Sequence, residues 1–196
     1  MKILHLDSSI LGEGSASRAI SAAIVDQLRQ EDPAAAVTYR DLAAAPLPHL
    51  TLETWMALEQ APEVDQFLAA DVVVIGAGFY NFSIPTQLKA WIDRIAVRGK
   101  TFRYDESGVV GLAAGKRVII ALARGNVYGA DSPYQSYEHA ETLLRSVFGF
   151  LGAEVEVIVA EGIGRGADAR QAALDGALDA ARRVGRGAGE GAPLAA

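Results

Sequence analysis

The sequence predicts an α/β fold in which a five-stranded parallel sheet carries helices on both faces. Apolar runs rich in β-branched residues alternate with segments in which apolar residues recur every three or four positions. The clearest run, at residues 72–75, is followed by Leu88, Trp91 and Ile95 at helical spacing. Strands that alternate with helices need right-handed crossovers, which place helices over both faces of a parallel sheet.

The first half of the chain predicts two strands, one long helix and a helical segment of less regular pattern. In chain order, the strand, helix, strand and helical segment lie at residues 3–7, 15–29, 37–40 and 51–70. Pro62 divides the last of these segments, because proline interrupts a helix. The long helix has one apolar face, formed by Ile20, Ala23, Ile24 and Leu28.

The second half predicts three more strands, three helices and an excursion. The strands lie at residues 71–76, 117–123 and 155–160, and the helices at 86–96, 138–151 and 168–183. The final helix turns four residues inward, namely Leu174, Ala177, Leu178 and Ala181. The excursion, residues 100–108, alternates aromatic and charged residues, so we expect a hairpin or flap held by contacts outside the main sheet.

These elements predict a flavodoxin-like three-layer sandwich with strand order 2-1-3-4-5. In that order the switch point lies between the first and third strands, so the loops after Asp7 and Gly78 should face each other across one crevice. Ligands of open α/β sheets bind at such a crevice. We expect one domain over residues 1–184, because 196 residues with 51% hydrophobic content suffice for one core. The glycine- and alanine-rich tail, residues 185–196, is expected to be disordered.

Composition excludes several classes of function. The formal net charge of -6 argues against nucleic-acid and anionic-membrane partners. The absence of cysteine removes disulfides, thiolate metal sites and thiol nucleophiles. His5, His49 and His139 lack the spacing of metal ligands, so no metal site is predicted. No apolar run is long enough for a signal peptide or a membrane span, which makes a cytoplasmic location the expectation.

The loop after the first strand combines glycines with hydroxyls at a helix start. Ser9, Ser15, Ala16 and Ser17 lie where unpaired backbone N–H groups favour an anion, and a terminal phosphate monoester would fit. A simpler alternative is that Ser15 or Ser17 only caps the helix. The loop lacks both the Walker pattern and a G-x-G-x-x-G fingerprint.

Two further loops at the same edge suggest a flat ligand. Phe79, Tyr80, Asn81 and Phe82 supply ring contacts and an amide, which suits a planar aromatic group. The other segment follows the fourth strand and consists of Ala123, Arg124, Gly125 and Asn126. Its backbone N–H groups could converge on the polar rim of the ligand. An ordinary strand-to-loop turn is the alternative for this second segment.

Several short motifs in register now resemble one known family. They are Ser9-x5-Ser15-Ala16-Ser17, Phe79-Tyr80-Asn81-Phe82, Leu88-Lys89-x-Trp91-Ile92-Asp93, Thr101-Phe102-Arg103-Tyr104, Gly111-Leu112, Gly115-Lys116 and Ala123-Arg124-Gly125. Together they resemble the FMN-dependent NADH-quinone oxidoreductase, or azoreductase, family over most of the chain. The family usually has methionine at the place of Phe79, serine at Ala123 and glycine at Asn126. We expect binding to survive these departures, and turnover rate and substrate range are the properties that they put in question.

The resemblance implies a cofactor, an activity and an assembly. The phosphate and ribityl end of FMN would be held by Ser9, Ser15, Ala16 and Ser17. Residues 79–82 would line the flavin, and Asn81 would form a hydrogen bond with its ring. Residues 123–126 would approach the pyrimidine edge of the ring. NADH or NADPH would deliver hydride, and a quinone or azo compound would then be reduced by a ping-pong mechanism. No side chain is assigned as a catalytic nucleophile or base.

The family also uses a two-fold interface, so a homodimer is expected, although the segment before the third strand is shorter than usual. Tyr104 is the candidate substrate-contact residue, and the alternative is that its ring only pins the hairpin. Two other functions stay open at this stage: a flavodoxin-like carrier of single electrons, and a flavin-binding scaffold without turnover.

Overall fold

The computed structural model describes residues 1–106 and 108–185. Residues 186–196 of the predicted tail lie outside the described residues. The strands are β1 (Lys2–Asp7), β2 (Ala36–Asp41), β3 (Val72–Gly78), β4 (Phe102–Asp105), β5 (Gly108–Gly111), β6 (Arg117–Arg124) and β7 (Glu154–Glu161). The α-helices are α1 (Ala16–Glu31), α2 (Leu52–Met56), α3 (Pro62–Ala69), α4 (Thr86–Ile95), α5 (Ala140–Phe150) and α6 (Ala167–Ala181).

Five of the strands form one parallel sheet in the order β2-β1-β3-β6-β7. This is the predicted order 2-1-3-4-5, because the two extra strands, β4 and β5, pair only with each other as an antiparallel hairpin. Ile3 in β1 lies beside Val37 of β2 and Val72 of β3. The order reverses at β1, so the ends of β1 and β3 form the switch point.

Both faces of the sheet are buried, as the predicted three layers require. Successive residues of β3 point to opposite faces, so Val73 and Ile75 belong to one apolar cluster while Val72 and Val74 belong to the other. The first cluster receives Phe67 from α3, Trp91 from α4 and Phe148 from α5. Each fully buried large side chain of this kind contributes about 1.5–3 kcal/mol to folding.

The opposite face is covered by α1 and α6. Ile20, Ile24 and Leu28 of α1 are buried there, and Ala177 and Ala181 of α6 pack into the same cluster. Partly buried residues complete the predicted inward faces of the two helices, namely Ala23, Leu174 and Leu178. The helical periodicity of the sequence thus identified both faces correctly.

The hairpin of β4 and β5 is the predicted excursion, and it is held outside the main sheet. The ring of Phe102 lies 4.8 Å from that of Phe150 at the end of α5. Gly111 lies directly against the backbone of Leu151 and Gly152, where a Cβ atom would overlap with main-chain atoms. This close approach explains why glycine occupies position 111.

One strand is longer than the sequence predicts. The third strand extends to Gly78 rather than ending at residue 76, because Gly78 still pairs with Ala123 and the N–H of Phe79 donates to the carbonyl of Ala123 at 2.9 Å. Trp55 is 57% exposed and lies outside the core of the described chain. Within residues 1–106 and 108–185, no helix is long and apolar enough to cross a membrane.

Candidate functional site

The predicted loops meet in a cleft at the carboxyl edge of the sheet, where the strand order reverses. This switch-point cleft has a volume of about 290 Å³. Its lining comes from four loops and helix starts: Ser9, Leu11, Ser15, Ala16, Ser17, Gly78, Phe79, Tyr80, Ala123, Gly125, Ile163, Gly164 and Arg170. Eight of the twelve predicted cofactor-binding residues are therefore brought together.

Several hydrogen bonds join the loop after β1 to the end of β3 and the residues that follow it. The hydroxyl of Ser9 lies 2.9 Å from the phenol oxygen of Tyr80. The backbone N–H of Ser8 donates to the carbonyl of Gly76 at 3.0 Å, and the Ser8 hydroxyl donates to the same carbonyl at 2.8 Å. These contacts confirm the prediction that the two loops face each other across one crevice.

Ser15 caps α1, as the simpler alternative predicted. Its hydroxyl accepts from the N–H of Arg18 at 3.4 Å and lies 3.1 Å from the hydroxyl of Ser17. Both serines are buried, and both line the switch-point cleft. Ser15 can therefore cap the helix and still belong to an anion-binding site, because the amino-terminal end of α1 faces the cleft together with the hydroxyls of Ser15 and Ser17.

Arg18 fixes the shape of this loop from behind. Its guanidinium donates to the carbonyl of Ser9 at 2.8 Å and forms a fork with Asp41, with contacts of 2.7 and 2.8 Å. The hydrogen bond from Arg18 lowers the pKa of Asp41 to about 2, and Asp41 in turn raises the pKa of Arg18. The charge of Arg18 is thus compensated within the protein.

Beneath the cleft, buried polar side chains connect β1 to α1 and β2. Asp7 accepts from the hydroxyls of Ser21 at 2.8 Å and Tyr39 at 3.1 Å, and Ser21 lies 3.0 Å from Nε2 of His5. Burial and the neighbouring Asp7 raise the pKa of Tyr39. Asp7 therefore acts as an acceptor that ties the helix and the neighbouring strand to the sheet edge, while His5 is a buried residue of β1.

After β3 the chain makes a tight turn at Tyr80–Ser83. The N–H of Tyr80 donates to the carbonyl of Ser83 at 2.9 Å, and the N–H of Ser83 donates back at 3.1 Å. Asn81 and Phe82, the two central residues, have φ angles of 48° and 72°. Both values lie in the left-handed region, as in a type I′ turn, which is costly for a phenylalanine.

The aromatic rings of this segment lie on two sides of the turn. Phe79 packs against the core, lines the cleft, and has its ring 4.6 Å from that of Tyr128. Phe82 is 46% exposed and lies 5.2 Å from the ring of Tyr137. Asn81 and Phe82 are absent from the cleft lining in the described chain, because the turn carries them past its edge.

Arg124 points away from the cleft. Its guanidinium is buried among three carboxylates, at 2.6 Å from Glu141, 3.3 Å from Glu138 and 3.5 Å from Glu161, so it holds α5 and β7 against the end of β6. Only its backbone is available to a ligand in the cleft. Asn126 lines a neighbouring cavity of about 440 Å³ together with residues 127 and 129–134, Glu161 and Arg165.

The loop after β7 also contributes to the cleft, although it was not among the predicted segments. Gly164 donates from its N–H to the carbonyl of Gly125 at 2.8 Å, and this contact brings Ile163 and Gly164 to the cleft. Arg170 reaches the cleft from α6. The signal that could have identified this loop is the repeated glycine at positions 162, 164 and 166, directly after the fifth strand of the main sheet.

Tyr104 lies on the hairpin and not in the switch-point cleft. Its ring is 56% exposed and meets the ring of Phe102 at 5.6 Å and the guanidinium of Arg98 at 5.6 Å. These contacts match the alternative reading, in which the ring pins the hairpin, and they leave one face of Tyr104 open.

The donor set of the cleft fits a phosphorylated planar cofactor such as FMN. Serine hydroxyls, the start of α1 and Arg170 lie at one end, where a phosphate would be stabilised. Phe79 and Tyr80 add aromatic rings to the lining, and the open space beside the backbone of Gly125 would let a flat ring approach closely.

Comparisons with known proteins agree with this geometry. The family model described as a flavodoxin-like fold matches residues 1–184. The FMN-dependent NADH:quinone oxidoreductase 2 of Bradyrhizobium diazoefficiens is 55% identical over 192 residues, covering 90% of this chain and 95% of the relative. The FMN-dependent NADH:quinone oxidoreductase of Methylorubrum populi is also 55% identical, over 193 residues, with the same coverage of 90% and 95%.

A solved structure gives the same result at lower identity. The azoreductase from Bacillus anthracis superposes with a TM-score of 0.84 at 27% identity, covering 94% of this chain and 98% of that protein. The fold, the switch-point cleft and the close relatives are therefore consistent with one another. The chain belongs to the FMN-dependent NADH:quinone oxidoreductase family of the flavodoxin-like fold.

Proposed function

We propose that this chain is an FMN-dependent oxidoreductase that takes hydride from NADH or NADPH and reduces quinones and azo compounds by a two-electron ping-pong mechanism. The observation that carries the proposal is that serines of the loop after β1 and aromatic residues after β3 line one cleft at the switch point. These residues are Ser9, Ser15, Ser17, Phe79 and Tyr80. Relatives 55% identical to this chain are named FMN-dependent NADH:quinone oxidoreductases, which supports the same activity here.

We assign the phosphate and ribityl end of FMN to Ser9, Ser15, Ala16 and Ser17. These residues offer hydroxyl groups and the free N–H groups of a helix start, both of which stabilise an anion. Ser9 is already oriented by Tyr80, whose phenol also accepts from the N–H of Ile10 at 3.3 Å. Little side-chain freedom is lost on binding, because these hydroxyls are largely positioned in advance.

We assign the ring of the cofactor to Phe79, Tyr80, Asn81 and Phe82 on one side and to residues 123–126 on the other. Ala123 and Gly125 line the cleft, whereas the side chain of Arg124 is held by carboxylates, so Arg124 would contribute through its backbone. Asn81 and Asn126 are not among the residues that line the cleft in the described chain, and Asn126 lines the neighbouring cavity. Their amides would reach the ring only at its polar edge.

When bound, FMN would supply the two-electron redox chemistry between the nicotinamide and the acceptor. The protein residues bind and orient the reactants and exclude water. Phe79 presents an apolar ring to the cleft, and that ring is supported by Tyr128 at 4.6 Å. Backbone N–H groups at the loop ends stabilise negative charge, so no side chain needs to act as a base or nucleophile.

We further propose that two copies of the chain form a homodimer in which Tyr104 of one copy contacts the substrate of the other. Exposed apolar side chains support an interface, among them Leu52, Trp55, Met56, Tyr104 and Val109. Tyr104 lies outside the cleft of its own chain, and a second copy would give its open ring face a role. A single domain over residues 1–184 and a cytoplasmic location remain predictions.

The test is an anaerobic reduction of purified protein loaded with FMN. NADH or NADPH should bleach the flavin absorbance, and benzoquinone added afterwards should restore it without a lasting paramagnetic signal. Slow or absent bleaching by both nicotinamides would overturn the enzyme proposal and favour a carrier or a scaffold. A persistent one-electron signal would favour the carrier.

A further inference from the structure

We propose that Arg170 gives the switch-point cleft its selectivity for a phosphorylated flavin over the same flavin without phosphate. This inference rests on the proposed FMN-dependent function and deepens it by naming a binding residue outside the family motifs. Arg170 lies in the first turns of α6, at the far end of the chain from the serine loop that it meets.

The geometry places the guanidinium at the phosphate end of the cleft. Nη2 of Arg170 donates to the carbonyl of Gly14 at 2.7 Å, and Gly14 directly precedes the helix cap Ser15. Arg170 lines the cleft together with Ser15 and Ser17. One of its five N–H donors holds the loop, which leaves others for a ligand oxygen.

The charge distribution singles out Arg170 among the neighbouring residues. Arg18 is closer in sequence to the serines, but its charge is compensated by Asp41 at 2.7 Å. Among the ion pairs found for residues 1–106 and 108–185, none involves Arg170. Glu13, which is exposed in the same loop, adds a negative charge that an incoming phosphate must overcome.

The position of Arg170 on its helix also favours a bound anion beside it. A cation near the amino-terminal end of a helix is electrostatically unfavourable, because the macrodipole is positive there. Arg170 nevertheless lies in this unfavourable position, four residues after the helix cap Gly166. A phosphate bound between α1 and the guanidinium would offset the repulsion and would receive charge-assisted hydrogen bonds, which are stronger than neutral ones.

The experiment compares FMN with riboflavin, which has the same ring and ribityl chain but no phosphate. Dissociation constants are measured by flavin fluorescence on apoprotein for the wild type, Arg170→Gln and Arg170→Lys. Arg182→Gln is the matched control, because Arg182 ends the same helix, is exposed and pairs with Asp179. Thermal melts establish that each variant is folded.

We expect Arg170→Gln to weaken FMN binding by about tenfold or more while riboflavin binding changes by less than about twofold. Its FMN affinity should also depend less on salt, and Arg170→Lys should recover part of the preference because the charge is retained. Arg182→Gln should leave both affinities unchanged.

Equal weakening of both flavins would overturn the inference, because Arg170 would then only shape the loop through Gly14. Unchanged affinity for both would overturn it as well. These results differ from failure of the proposed function, in which the wild-type protein itself would bind neither flavin. If Arg170→Gln fails to fold, the Arg170→Lys variant and the salt dependence of wild-type FMN binding decide the question.

Discussion

Ser9 and Tyr80 are hydrogen-bonded across the switch point, with 2.9 Å between their oxygens, although 71 positions separate them in the chain. The bond closes the cleft at its base and joins the serine loop to the aromatic turn. The same phenol accepts from the N–H of Ile10 at 3.3 Å. A single side chain therefore orients both a hydroxyl and a backbone segment of the candidate phosphate site.

Tyr80→Phe should loosen this connection without removing the ring. Loss of the phenol leaves Ser9 and the N–H of Ile10 without their partner, so we expect about 1 kcal/mol less stability and FMN binding weakened several-fold. Urea unfolding of the apoprotein and a flavin titration measure the two effects. Tyr137→Phe is the control, since the ring contact of Tyr137 with Phe82 needs no hydroxyl. Equal effects of the two variants would refute the assigned role of Tyr80.

Local patterns were sufficient to predict the sheet, its order and three of the loops that line the cleft. The parallel sheet follows from the alternation of strands and helices, and the cap of α1 follows from Ser15. The alternation alone is compatible with more than one strand order, so the switch point depends in addition on the flavodoxin-like order. Arg170 was missed because its contact with Gly14 joins positions 156 apart, which no local pattern reveals.

Arg124 is a residue whose role the sequence overstates. It lies in a loop motif at the correct sheet edge, so sequence alone suggests a ligand contact. Its side-chain direction, however, is decided by three carboxylates from other parts of the chain, namely Glu138 just before α5, Glu141 in α5 and Glu161 in β7. The burial of a charged side chain requires such partners, and they are visible only after packing.

Asp41 should make stability depend on pH in the acid range. Its pKa is lowered in the folded protein from 3.8 to about 2 by the hydrogen bonds from Arg18. A lowered folded-state pKa gives stability that is present above the unfolded-state value and is lost as the pH falls from about 4 to about 2. Solvent screening reduces the effect at this part-exposed pair, so we expect about 1 kcal/mol.

Urea unfolding between pH 2 and pH 5 tests this, with Asp41→Asn compared with the wild type. The variant should be less stable near pH 5, and the difference should shrink toward pH 2. Asp179→Asn is the control, because the pair of Asp179 with Arg182 is exposed on both sides. A constant difference across the range would show that Asp41 acts through packing and not through its charge.

Gly76→Ala should damage the floor of the cleft. A Cβ atom at this position would overlap with the carboxylate of Asp7 and come within 3.2 Å of the carbonyl of Ser17. Overpacking of this kind costs about 1–3 kcal/mol, and here it would also displace the acceptor that ties α1 to the sheet. We expect a lower melting temperature together with weaker FMN binding.

Gly149→Ala is the contrasting substitution, because the space around Gly149 in α5 is open. Gly149 lies in the last turn of the helix, where alanine should raise stability relative to glycine by up to about 0.5 kcal/mol. Differential scanning calorimetry compares the two variants directly. If Gly76→Ala keeps both its stability and its FMN affinity, the carboxylate of Asp7 does not lie against position 76 as the structure has it.

Phe82 should store conformational strain at the rim of the site. Its φ of 72° is one that glycine adopts freely and phenylalanine does not. Phe82→Ala removes the ring but keeps a Cβ, whereas Phe82→Gly removes the ring and the strain. We therefore expect the glycine variant to be more stable than the alanine variant by about 1 kcal/mol, which reverses the usual order of the two residues. Chemical unfolding of the apoproteins measures the difference, and an alanine variant as stable as the glycine variant would mean that the turn relaxes out of the left-handed region at no cost.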